Sequence, residues 1–144
     1  MDRSCRCRRR HVLAVLGAAL VRGLVPRRAD ADTASRQFID EAHRMKAEAV
    51  ARGDQPYGAV IVRDGRIIGH GPSRVVTDRN PDAHAERVAL WDAQRQAGTS
   101  LLDGAVIYST SIPCAICQQA LARAGIARMM YGPSGTDGGK PALR

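Results

Sequence analysis

Phe38, Ile39, Ala42, Met45 and Ala49 recur three and four positions apart, so the stretch from Ser35 to Gly53 predicts a helix with one apolar face, Ser35 serving as its N-cap and Gly53 as its stop. The period then changes. Residues 57–63 and 66–70 are two β-rich runs joined at Asp64-Gly65, a strong hairpin signal. Asp82 can cap a second helix over 83–97, which Gly98 ends. Residues 105–110 predict the next strand. Pro113 suits the first position of a third helix that reaches residue 124 before Gly125, and residues 127–131 make a further strand. No segment repeats another. From Gly132 onward the chain is rich in Gly, Pro and polar residues and reads as a loop or loose tail.

The 144 residues make one domain, large enough to bury a core without disulfides. Hydrophobic residues are 44% of the chain and aromatic ones only 3%, so that core must be built from Ala, Val, Ile and Leu. The net charge of +8 suggests a nucleic-acid partner until it is located. Residues 1–31 hold eight arginines against Asp2 and Asp30, which leaves only +2 for residues 32–144. A body that grips a long polyanion is expected to carry a basic stripe, because phosphate contacts dominate such affinity. Near-neutrality favours a small substrate.

The N-terminal 31 residues stand apart from the fold. Arg8-Arg9-Arg10 precedes a run over 12–25 that is apolar except for Gly17, Arg22 and Gly23, and Ala29-Asp30-Ala31 then offers a small-x-small cleavage pattern. This resembles a twin-arginine export signal, which carries proteins that have already folded. It predicts an exported, periplasmic enzyme over 32–132 with a tail over 133–144; a cytoplasmic protein with a basic arm is the alternative. The run is too short for a clean membrane span, so no stable membrane association is expected after processing.

With Cys5 and Cys7 in that segment, the body keeps only Cys114 and Cys117, at C-x-x-C spacing. They could form a redox pair. A redox pair leaves His84 and Glu86, in His84-Ala85-Glu86, unexplained. One zinc ion accounts for all four: His84, Cys114 and Cys117 hold it on three sides, and the fourth position stays open for a water whose pKa the metal lowers. Two thiolates cancel the formal charge of zinc and leave that water less acidic than three histidines would, so a base is needed, and Glu86 is that base. Both clusters fall at predicted helix starts, where backbone N–H groups favour negative charge. Cys114 and Cys117, at i and i+3, share one helical face. Of the other singled-out residues, His70 reads as a surface or partly buried histidine, Trp91 as packing, and Arg74 either as a phosphate contact or as a solvated side chain.

H-x-E with a later P-C-x-x-C is the signature of zinc deaminases. The chain resembles the cytidine deaminase-like superfamily, in the branch of guanine deaminases, tRNA adenosine deaminases and cytosine deaminases. The matching stretches are Pro56-Tyr57-Gly58-Ala59-Val60-Ile61-Val62, Ala83-His84-Ala85-Glu86, Tyr108-Ser109-Thr110-Ser111, 113–117, Ala124-Gly125-Ile126 and Tyr131-Gly132. The resemblance implies a three-layer α/β/α sandwich with a mixed sheet and hydrolysis of an amidine carbon through a zinc-activated water, releasing ammonia. On that scheme Glu86 protonates the ring nitrogen and then the leaving amine. Ala85, Ser73 and Ser111 contact the base, Ser73 standing where the branch usually has an Asn. Ile112 and Arg123 depart from the family pattern, where an acidic and an aromatic residue are frequent.

Guanine or cytosine, as base or nucleoside, is the favoured substrate. Adenosine in tRNA and a catalytically inactive zinc-containing binding module are the alternatives. The chain stops at Arg144, short of the C-terminal elements that close the pocket in relatives, and this predicts a homodimer in which the partner covers part of the pocket.

Overall fold

The computed structural model describes residues 28–143, the side chains of residues 28–32 and 34 excepted. The export-signal reading falls on residues outside these, apart from its last few positions. A five-stranded mixed sheet runs in the order β2-β1-β3-β4-β5, from β1 (Gly58–Arg63), β2 (Arg66–Pro72), β3 (Val106–Ser109), β4 (Arg128–Tyr131) and β5 (Thr136–Gly139). Only β3 and β4 are parallel. Three helices complete it: α1 (Arg28–Ala51), α2 (Ala85–Ala97) and α3 (Ala115–Arg123).

β1 lies inside the sheet and Gly58 to Val62 are all buried. Alternate side chains therefore serve two different cores. Val60 and Val62, with Tyr108 of β3, pack against Ile39 and Met45 of α1. Ala59 and Ile61, with Ile107, pack against Ala85, Ala89 and Ala93 of α2 and Leu121 of α3. This is the three-layer α/β/α sandwich with a mixed sheet that the resemblance implies.

Two glycines set the layer spacing. A Cβ on Gly58 would collide with the α1 backbone at the Ala42 carbonyl and Lys46 nitrogen. One on Gly71 would meet the Ala85 carbonyl and push away the first turn of α2. The Asp64-Gly65 hairpin forms as expected, with φ of 51° and 71°, the positive values that a tight two-residue turn requires.

Several element ends differ from the sequence pattern. α1 begins at Arg28, so Ser35 is an interior residue and not a cap. Ala29, Ala31 and Ala34 favour helix, and Asp30 and Asp32 suit a first turn, so nothing stops the helix from extending backward. His84, not Asp82, is the N-cap of α2, and Cys114 is the N-cap of α3, which leaves Pro113 outside the helix. The stretch after Gly132 is not all loop: Thr136–Gly139 pairs antiparallel with β4 at Met130↔Asp137 and Tyr131↔Thr136. This edge strand buries almost nothing, so it carries no apolar period by which to be seen. Trp91 is 37% exposed and lies under the Arg87 guanidinium, 5.3 Å from the ring centre, instead of filling the core. Among the described residues no helix is long and apolar enough to cross a membrane.

Candidate active site

The N-termini of α2 and α3 meet at one end of the sheet, and each offers its N-cap side chain. An N-cap residue usually turns its side chain back to the helix, yet neither His84 nor Cys114 makes such a hydrogen bond. Their ring and thiol face each other: His84 Nδ1 is 3.6 Å from Cys114 Sγ and 3.5 Å from Cys117 Sγ. All three donor atoms lie within 4.8 Å of one another. Zinc bonds of about 2.0–2.1 Å to nitrogen and about 2.3 Å to sulfur, meeting at a tetrahedral angle, span about 3.6 Å between donors. The donor set and its spacing fit zinc. Burial, followed by the neighbouring Glu86 carboxylate, pushes the Cys117 thiol well above the ordinary cysteine range. A cation between the two sulfurs supplies the charge that a thiolate needs there.

Glu86 sits in the first turn of α2 and is 5% exposed. Its Oε1 accepts a hydrogen bond from Ser109 Oγ at 2.9 Å, and the Cys117 thiol donates to its Oε2 at 3.8 Å. A buried carboxylate needs such partners. Ser109 stands where the alternation of β3 would continue the apolar set of Ala105 and Ile107, and this break in the period is the signal that could have singled it out.

A cavity of about 450 Å³ opens over this group, lined by Gln55, Tyr57, His84, Ala85, Glu86, Ser111, Ile112 and Cys114. Its volume is in the range of small-molecule sites. Ala85 and Ser111 are in this lining. Ser73 is not: it is 1% exposed and its Oγ donates to Asp54 Oδ1 at 2.8 Å, so its hydroxyl is held away from the cavity. The same Asp54 carboxylate accepts from the backbone N–H of Gln55, Val76 and Thr77 and from Thr77 Oγ, at 2.8–3.0 Å. Burial pushes Asp54 up, but the donors from Thr77, Gln55 and Ser73 outweigh it and hold the carboxyl well below the usual range. Sequence reasoning missed Asp54, Gln55 and Tyr57, because no spacing links residues 54–57 to residues 73–86.

His70 and Arg74 stay out of the site. His70 Nε2 is 3.2 Å from Glu41 Oε1, and Arg74 pairs with Asp78 at 2.8 Å. Ile112, 60% exposed, forms part of the cavity rim, and Arg123 lies in the last turn of α3.

The mixed sheet thus carries, at two helix N-termini, a His-Cys-Cys group that could hold a metal ion and a buried carboxylate beside it. Residues 32–133 match the family described as cytidine and deoxycytidylate deaminase zinc-binding region, and the chain belongs to it. It is 35% identical over 94 residues to a tRNA-specific adenosine deaminase of Aquifex aeolicus, covering 65% of this chain and 62% of the relative. It is 37% identical over 101 residues to a guanine deaminase of Bacillus subtilis, covering 69% and 65%. The crystal structure of a guanine deaminase from Bacillus subtilis superposes with a TM-score of 0.64 at 36% identity, over 67% of this chain and 62% of that one. The chain thus spans less than two thirds of the length of these curated relatives.

Proposed function

We propose that the protein is a zinc-dependent hydrolytic deaminase of a nucleobase or nucleoside, with guanine or cytosine favoured. The observation that carries this reading is Glu86, buried beside the His84, Cys114 and Cys117 donors and facing a cavity with no Lys or Arg in its lining among the described residues. Bound zinc would supply a water acidified towards neutral pH. Ser109 fixes one oxygen of the Glu86 carboxylate and leaves the other to hold a proton. Glu86 takes that proton from water and delivers it to the ring nitrogen, then protonates the departing amine. The balance is one water consumed, one ammonia released and one C–NH2 converted to C=O.

Likeness to tRNA-specific adenosine deaminases supports a second reading, adenosine in tRNA. Against it stand a lining without Lys or Arg among the described residues and the +2 charge of residues 32–144, which offer little grip on phosphates. An inactive binding module would have no use for a proton-holding Glu86. Export by a twin-arginine route and homodimerisation belong to the same proposal.

Ammonia release by the zinc-loaded full chain, measured on guanine, cytosine, adenine, their nucleosides and tRNA, tests the reading. Turnover of a free base or nucleoside is expected. Turnover of tRNA alone would replace it by the second reading, and turnover of none would leave a binding protein.

A further inference from the structure

We propose that Gln55 is the specificity-determining residue of the site: its side-chain amide reads a lactam edge, an N–H beside a C=O, on the base. The inference rests on the deaminase reading above. Gln55 lines the cavity beside His84 and Glu86. Its backbone is already committed, the N–H donating to Asp54 Oδ1 at 2.8 Å and the carbonyl accepting from the Tyr57 N–H at 2.7 Å. Both bonds fix the backbone from which the side chain extends. Its side-chain amide has no protein partner among the described residues. Ser73 has its hydroxyl spent on the same Asp54, which therefore withdraws one polar group from the substrate and anchors another beside it.

The lining leaves few other groups for recognition. His84, Cys114 and Glu86 belong to the chemistry, Ala85 has no polar side chain, and Ile112 is apolar. Ser111 and Tyr57 carry single hydroxyls. Among the described lining side chains Gln55 alone places a donor and an acceptor side by side, two atoms that can pair at once with an adjacent C=O and N–H. Guanine has that edge, and so does free cytosine. Adenine lacks it, and cytidine keeps only the carbonyl. The site is thus set for an amino-lactam base, and a compound without the carbonyl at that edge leaves one end of the Gln55 amide unpaired.

Equilibrium dialysis and ammonia release, run on the zinc-loaded full chain, compare guanine with 2-aminopurine and cytosine with 4-aminopyrimidine. Each second compound lacks the carbonyl. Wild type should prefer the lactam in both affinity and kcat/KM. Gln55→Leu should cut that preference about tenfold, the loss of one bidentate contact, with zinc content and circular dichroism unchanged. Gln55→Glu keeps the size but sets an acceptor against the carbonyl, so it should lower the same ratio. An unchanged ratio in both variants would overturn the inference while leaving a turning-over deaminase intact. Binding that follows the predicted ratios without ammonia release would support the inference and overturn the deaminase reading. Binding of no base would overturn both.

Discussion

At the scale of single residues the site sets three possible metal donors beside one buried carboxylate. His84, Cys114 and Cys117 are placed to hold a metal ion, and the Glu86 carboxylate bonds to Ser109 and the edge of Cys117. Glu86→Gln keeps the side-chain shape and can still accept from Ser109, but it has no basic oxygen. Zinc content by elemental analysis should be unchanged and kcat should fall by about 10² to 10⁴, the usual worth of general acid-base action. Full turnover by the variant would remove Glu86 from the mechanism. Asp54 is a different kind of residue, since it joins the approach to β1 to residues 73–77 through four accepted hydrogen bonds and accepts a fifth from Gln55. Its folded pKa is depressed, so the stability it contributes is complete above the unfolded value of about 3.9 and is lost as pH falls through the folded one. Asp54→Asn should therefore be less stable than wild type at pH 7, by about 1–3 kcal/mol, and should lose less on further acidification. Urea unfolding at pH 7 and pH 3 checks both, and equal acid sensitivity in the two proteins would contradict it.

Among the elements, the two site helices reach the metal position from different points of the chain. α2 is pressed onto β2 at Gly71, while α3 follows β3 after a short loop through Ser111 and Pro113. The ligands couple the two N-termini, so metal binding contributes to folding as well as to chemistry. Chelation should lower Tm and raise protease cleavage of the loop at 110–114, and added zinc should restore both. A Tm indifferent to chelator, in protein shown to have lost its zinc, would mean that packing alone holds the helices together.

For the whole molecule, location is the open test of the proposal. α1 meets the sheet through Phe38, Ile39 and Met45, all beyond the Ala29-Asp30-Ala31 pattern. Cleavage there would cost only the first turn of the helix. The mature chain should begin near Asp32 and lack Cys5 and Cys7, and intact mass of the native protein reads this directly. A full-length chain confined to the cytoplasm would end the export idea and strengthen the tRNA reading. Sequence by itself determined the parts that depend on near neighbours. The i, i+3 cysteines, the His-x-Glu pair, the Asp64-Gly65 hairpin and the α1 face could all be read because local geometry fixes how such residues face each other. The zinc reading followed from donor types and their spacing. What tertiary structure decided was the choice of partner for each polar group. Ser73 looked free for substrate until folding brought Asp54 within 2.8 Å. Pairing of β3 with β1 sets Ser109 where it bonds Glu86, and Gln55, on the approach to β1, lines the cavity over that group. β5, with no apolar side chain to mark it, formed because the open edge of β4 offered backbone groups to pair with, which depends on proximity and not on residue type.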